Sequence, residues 1–300
     1  MTVEAVLARE REAVDAALSE LFPKRERWPA RLWEAMEYAV FAGGKRIRPV
    51  LARLAHQAAG CDPDEMTRAA CGLELIHTYS LVHDDLPALD NDVLRRGQAT
   101  VHVKYDDATA ILVGDALLTE GLLLLARHPE GAVWAARRAE AVEMVADAIS
   151  VRGMVGGQVE DLEATGHFDG VAGDLEERLD RIHRHKTGAL LKASVELGAI
   201  LAGAAANRRT LFVDYGEDLG LAIQIADDIL YAIADAEELG KSPGKEEAAG
   251  KQTYETLYGL DQAQHRLDEL EQKLVEKAAA IEGADGELGA LAQFVCRRKS

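Results

Sequence analysis

The sequence predicts an all-α protein, a single large bundle of roughly ten helices. Three observations carry that expectation. Apolar residues make up 48% of the 300 positions while aromatics make up only 5%. Ala and Leu dominate and β-branched runs are scarce, which favours helix over strand. Apolar positions also recur at helical spacing along almost the whole chain. Composition does not shift from end to end and no low-complexity linker intervenes, so residues 1–300 read as one domain.

In chain order, "EAVLAREREAVDAAL" at 4–18 and "ARLWEAMEYAVFAG" at 30–43 read as amphipathic helices, the second stopped by Gly43-Gly44. Pro49 follows that loop and suits a first helical turn. The next helix covers 64–83, with Asp62 or Asp64 as its cap. Residues 104–127, 132–163, 175–204, 208–238 and 263–280 complete the helices, punctuated by Gly or Pro at 129–131, 165–173 and 240–250. No stretch reads as a convincing strand. The N-terminus "MTVEAVLARERE" is charged and lacks an apolar signal region, so the expected location is cytoplasmic. The runs "GLLLLA" at 121–126 and "GALLKASVELGAILAGAAA" at 188–206 are too short or broken by Lys192 and Glu196. No membrane span is therefore expected.

The net charge of −18 argues against nucleic acid, since an acidic surface repels a phosphate backbone. Cys61, Cys71 and Cys296 are far apart and suggest neither a disulfide framework nor a zinc site. They read as reduced packing residues.

Two acidic clusters stand out. "LVHDDLPALD" at 81–90 and "IQIADDIL" at 223–230 each set an Asp-Asp pair, Asp84-Asp85 and Asp227-Asp228, behind an apolar helical approach. One such pair is ordinary on a solvated face, but two with matching approaches are harder to dismiss. Crowded carboxylates at about 4 Å in a partly buried setting cost on the order of 4 kcal/mol unless a cation intervenes. Oxygen-only donors point to magnesium, held by one or two carboxylates with substrate phosphates completing the coordination. Asp90 lies six residues beyond Asp84 and would miss its face on a regular helix, so the chain must loosen there. Cations for a phosphate ligand are present: Lys45, Arg46 and Arg48 in "GGKRIRP", Arg95 and Arg96 in "LRRG", Lys186 in "HKTG", Lys241 and Lys245 in "LGKSPGK". Together they could hold two polyphosphates.

With "GGKRIRP", "HTYSLVHDDLPALDND", "LRRG", "GDALL", "GGQVEDLEA", "HKTG", "QIADDIL", "LGKSPGKE" and "KQTY" in this order, the chain resembles the trans-isoprenyl diphosphate synthases. The likeness is strongest to the bacterial short-chain branch of farnesyl and geranylgeranyl diphosphate synthases. It implies the isoprenoid-synthase bundle with a central apolar cavity, and a homodimer. It implies condensation of an allylic diphosphate with isopentenyl diphosphate, with three magnesium ions and cationic side chains stabilising the departing diphosphate. By motif match, Asp84, Asp85, Asp90 and Asp227 serve the metals, with Asp161 and Asp228 in support. Arg95, Lys186, Thr187, Gln224 and Lys241 hold the allylic diphosphate, and Gly44, Lys45, Arg48, His77 and Arg96 hold isopentenyl diphosphate. Tyr79, with small Ser80 beside it, is the expected floor of the product tunnel, favouring farnesyl diphosphate.

One departure is marked. Tyr231 stands where the family usually has a third aspartate, on the face of Asp227 one helical turn away. Either the site works with altered metal affinity, or the chain is a weakly active or modulatory subunit. A class I terpene cyclase is a further reading, opposed by the intact isopentenyl set. Ile223 and Glu246 replace a common Phe and Asp, milder changes.

Overall fold

The computed structural model describes residues 2–22, 28–166, 168, 175–238 and 254–298. The chain is all-α, apart from one pair of two-residue strands among the described residues. Its contacts fall into two compact units, residues 1–143 with 200–203, and residues 144–199 with 204–300.

In the first unit, α1 (Val3–Leu21) is capped by Thr2, whose hydroxyl accepts from the Ala5 amide at 3.4 Å. Helices α2 (Ala30–Val40) and α3 (Ile47–Ala58) follow, with Pro49 in the first turn of α3. Asp62 caps a short 3₁₀ turn, Pro63–Met66, rather than the next long helix, α4 (Thr67–Asp84), which starts three residues later than expected. Helix α4 packs on α1, α2 and α3 and on α6 (Asp107–Arg127). It is accordingly apolar on most sides, with Leu73 and Ile76 fully buried. Where α4 crosses α6, a Cβ on Gly72 would lie 2.6 Å from the Gly121 carbonyl oxygen, so the two backbones touch and neither position admits a side chain. Between them run a hairpin, β1 (Leu94–Arg95) and β2 (Gln98–Ala99), and the short α5 (Val101–Lys104). The hairpin corrects the expectation of no strand. Its pairing is two residues long and carries no alternating pattern to read. Helix α6 also corrects the membrane reading: by length and composition it could cross a bilayer. Asp115 and Glu120 are the only charged residues within its apolar interior, and 44% of that window is buried inside the protein.

Helix α7 (Ala135–Ile149) leads into the second unit. The expected helix at 132–163 breaks after residue 149. There the Ser150 hydroxyl oxygen accepts from the Arg152 amide at 3.1 Å, and Gly153 packs where a Cβ would sit 1.9 Å from the Ala148 carbonyl. Helix α8 (Met154–Ala164) resumes beyond it. The expected helix at 175–204 is α9 (Leu175–Ile182), a π-helical turn at His183–Gly188, and α10 (Ala189–Ala202). The long α11 (Ala206–Glu238) packs on that turn, on α12 (Tyr254–Tyr258), on α13 (Leu260–Glu282) and on α14 (Glu287–Arg297). Tyr215 on α11 is fully buried and donates its hydroxyl to the Leu288 carbonyl at 2.9 Å. Burial raises the Cys71 and Cys296 thiols to about 12, so both are uncharged packing groups.

Candidate active site

In the first unit the site is built where α4 ends. After Asp84 the chain turns back on itself: the Asp90 amide donates to the Asp84 carbonyl at 2.9 Å, and Asn91, at φ 51°, donates to the Leu86 carbonyl at 3.1 Å. This is the loosening that the six-residue spacing required. Arg96 and Gly97 both have positive φ, 52° and 77°, as a two-residue hairpin turn demands. The turn splits the neighbouring arginines. Arg95 grips the buried Asp85 carboxylate through Nε and Nη2, at 2.8 and 2.6 Å, while Arg96 donates to the Gly43 carbonyl. Burial raises the Asp85 carboxyl above its usual value even with Arg95 opposing it.

A small cavity of about 40 Å³ brings His77, Asp85, Arg95 and Arg96 together with Glu74 and Thr78. His77 is held well below its usual 6.5, by burial first and then by Arg48, Arg96, Arg95 and Arg46. It is a neutral imidazole that can donate one N–H to a diphosphate. Lys45 is exposed, and Arg48 lies in the first turn of α3. Gly44, at φ 144°, sits so close to Arg96 that a Cβ would lie 2.6 Å from its Nη1. Tyr79 is 8% exposed, five residues before Asp84, with its ring edge-on to His83 at 5.8 Å. The Ser80 hydroxyl is spent on the His77 carbonyl at 2.8 Å.

In the second unit the π-helical turn carries Lys186 and Thr187. Gly157 on α8 makes that bulge possible, because a Cβ there would lie 2.2 Å from the Lys186 amide nitrogen; Gly220 on α11 packs against Gly188. Lys186 reaches Asp161 on α8 at 2.6 Å. On α11, Asp228 is buried and accepts from Gln224 at 2.9 Å and from the Tyr254 amide at 3.0 Å. Asp227 is more open and accepts from Arg298 at 2.6 Å. Sequence reasoning gave no role to Arg298, Tyr254 or His183. His183 stacks on the Tyr254 ring at 5.2 Å; "KQTY" and "HKTG" marked their neighbourhoods as motifs without assigning these two residues a role, and "CRRKS" offered no cue to Arg298. Lys241, with Lys245 and Glu246, lies outside the described residues, as does the side chain of Tyr231.

Among the described residues no three His, Cys, Asp or Glu side chains gather into a ready-made metal cage. The donor chemistry still fits magnesium. The acids offer only carboxylate oxygens, and this ion usually binds through one or two of them, with substrate phosphates and water supplying the rest.

An all-α chain carrying two aspartate pairs and several cationic groups suited to diphosphate defines a class, the prenyl diphosphate enzymes. The polyprenyl synthetase family profile matches residues 29–285. A farnesyl diphosphate synthase of Geobacillus stearothermophilus is 42% identical over 267 residues, covering 89% of this chain and 88% of that one. A geranylgeranyl diphosphate synthase of Cyanophora paradoxa is 38% identical, covering 98% and 96%. Among solved structures, an FPP/GFPP synthase from Zymomonas mobilis in its apo form matches with TM-score 0.84 at 34% identity, covering 98% of each chain. The chain belongs to the polyprenyl synthetase family, the trans-isoprenyl diphosphate synthases. At the level of that family it is a prenyltransferase that condenses an allylic diphosphate with isopentenyl diphosphate.

Proposed function

We propose that this chain is a magnesium-dependent short-chain synthase whose main product is farnesyl diphosphate. The observation that carries the product assignment is Tyr79, a bulky ring 8% exposed and roughly 7.5 Å along the helix from Asp84. A prenyl tail growing from a diphosphate held near Asp84 would run toward this ring, which limits the product to a short chain.

In the first unit Asp84, Asp85 and Asp90 would hold magnesium; in the second, Asp227 would, with Asp161 and Asp228 in support. Bound there, the metal would neutralise the diphosphate charge that develops as the allylic C–O bond breaks. Arg95, fixed by Asp85, adds a rigid cation on the leaving-group side; Lys186 and Lys241 would add further positive charge, and Thr187 and Gln224 would donate neutral hydrogen bonds to the allylic diphosphate. Lys45, Arg48, Arg96, neutral His77 and the Gly44 backbone would orient isopentenyl diphosphate, whose double bond attacks the allylic cation; the new tertiary cation then loses a proton from the adjacent carbon to give the product double bond. Apolar helix faces keep water from that cation, so the chemistry needs no nucleophilic side chain. The acting form is proposed to be a cytoplasmic homodimer, with twice the 32.5 kDa chain mass by light scattering.

The test is direct. Purified protein with magnesium, isopentenyl diphosphate and primers of five, ten or fifteen carbons should yield mainly the fifteen-carbon product. A chain inactive with every primer would favour the modulatory-subunit reading that Tyr231 raises. If the site is merely weakened, Tyr231→Asp should raise activity at low magnesium.

A further inference from the structure

Arg46 sits in the middle of the basic run but does not join its cations at the surface. It is 5% exposed and all three guanidinium nitrogens are used: Nη1 donates to Glu74, Nε to Asp15 and Nη2 to the Val40 carbonyl, each at 2.8 Å. One side chain thereby ties the loop to α1, to the end of α2 and to α4. Its backbone is left-handed, φ 53°, a conformation that a residue with a Cβ keeps only when its surroundings fix it. Glu74, its partner on α4, is 3% exposed.

A buried ion pair is weak as a device for stability, because apolar side chains of similar volume commonly do as well. A positional role accounts for it better. Gly44 runs between two guanidiniums: a Cβ on it would lie 2.6 Å from Arg96 Nη1 and 3.4 Å from Arg46 Nη1. Glu74 lines the same small cavity as His77 and Arg96. Burial works against the Arg96 charge and Glu74 supports it.

We propose that the Arg46–Glu74 pair is a positioning device for the homoallylic diphosphate: Arg46 sets the Gly44 backbone and the Lys45 and Arg48 side chains, and Glu74 anchors the cation cluster beneath them. Neither touches substrate. This rests on the reading that Lys45, Arg48, His77 and Arg96 hold isopentenyl diphosphate.

The test uses the full chain. Isopentenyl diphosphate alone is titrated by calorimetry, and KM is measured separately for it and for the allylic primer. Arg46→Lys keeps the charge but loses the three-way fork, and Glu74→Gln keeps the shape but loses the charge. Each should weaken isopentenyl diphosphate about tenfold while the allylic KM stays within about twofold. A double Arg46→Leu, Glu74→Leu variant, apolar throughout, separates packing from positioning: it should keep the helical circular dichroism, with a lower melting temperature because Asp15 and the Val40 carbonyl lose their donor, and it should bind isopentenyl diphosphate weakly. Wild-type affinity in that double variant, or equal loss for both substrates in the single variants, would overturn the proposal. Lys45→Ala tests the reading beneath it. If the wild type binds and Lys45→Ala binds equally well, the assignment of the subsite fails, and this inference with it. A Lys45→Ala loss beside unaltered Arg46 and Glu74 variants would sink the positioning role alone.

Discussion

At Tyr79 a single ring is asked to set product length. If it is the floor, Tyr79→Ala opens room for another isoprene unit, and the product mixture should shift from fifteen carbons toward twenty. An unchanged distribution from an active, folded variant would place the floor on another helix. His77 makes a second prediction at this scale. In the unfolded chain it titrates near 6.5, whereas in the fold it is held well below that by burial and the neighbouring arginines. As pH falls through 6.5 the unfolded state binds a proton that the folded state refuses. Its effect on stability is therefore fully favourable above about 6.5 and declines below it, by at most about 1.4 kcal/mol per pH unit. His77→Asn should flatten the fall in melting temperature between about pH 6.5 and 5, and an identical slope in both proteins would contradict the depressed value. Single residues were also where the sequence was least legible. "GGKRIRP" shows three equivalent cations, and nothing in the string says that Arg46 turns inward onto Glu74 while Lys45 stays in solvent. Burial of a charge is decided by acids 28 and 31 positions away in the chain.

The elements divide by how much their pattern depends on neighbours. Long amphipathic helices such as α2 and α13 were legible because an apolar stripe at helical spacing is a local signal. The β1–β2 hairpin was not, since two-residue strands have no alternation to detect, and α14 was passed over between Gly283 and the charged tail. The π-helical turn was invisible for a different reason: "HRHKTG" is compatible with plain helix, and the bulge comes from packing against Gly157 and Gly220. Such bulges collect at functional positions, and here it presents Lys186 to Asp161. Gly157→Ala should therefore act through backbone rather than side chain. A Cβ at 2.2 Å from the Lys186 amide nitrogen forces the two segments apart, at a cost of about 1–3 kcal/mol. Calorimetry should show a lower melting temperature, and steady-state kinetics a raised KM for the allylic primer as Lys186 is displaced. A variant that matches wild type in both would mean that the close approach is not needed.

For the whole molecule, the helical class and the order of the motifs were legible from end to end, while the division of 300 residues into two compact units was not, because composition is uniform across the boundary near residue 143. Charge is the property that belongs to the molecule as a whole. An excess of 18 negative charges repels itself in the folded state, and salt of any kind should relieve part of that repulsion as the screening length shrinks from about 10 Å at 0.1 M toward about 3 Å at 1 M. Potassium chloride should therefore raise the melting temperature modestly, without reference to any site. Magnesium should do more at equal ionic strength if the aspartate clusters bind it, because a ligand bound only by the folded state adds RT ln(1 + [L]/Kd). With a dissociation constant of about 1 mM, about 10 mM magnesium contributes about 1.4 kcal/mol, or about 2 °C for a chain of this length. Asp84→Ala should remove that increment while leaving the potassium response and the helical circular dichroism intact, and it should cut turnover by orders of magnitude. If magnesium and potassium at matched ionic strength give the same melting curve, and EDTA leaves turnover unchanged, the acids are a solvated surface and the metal assignment falls.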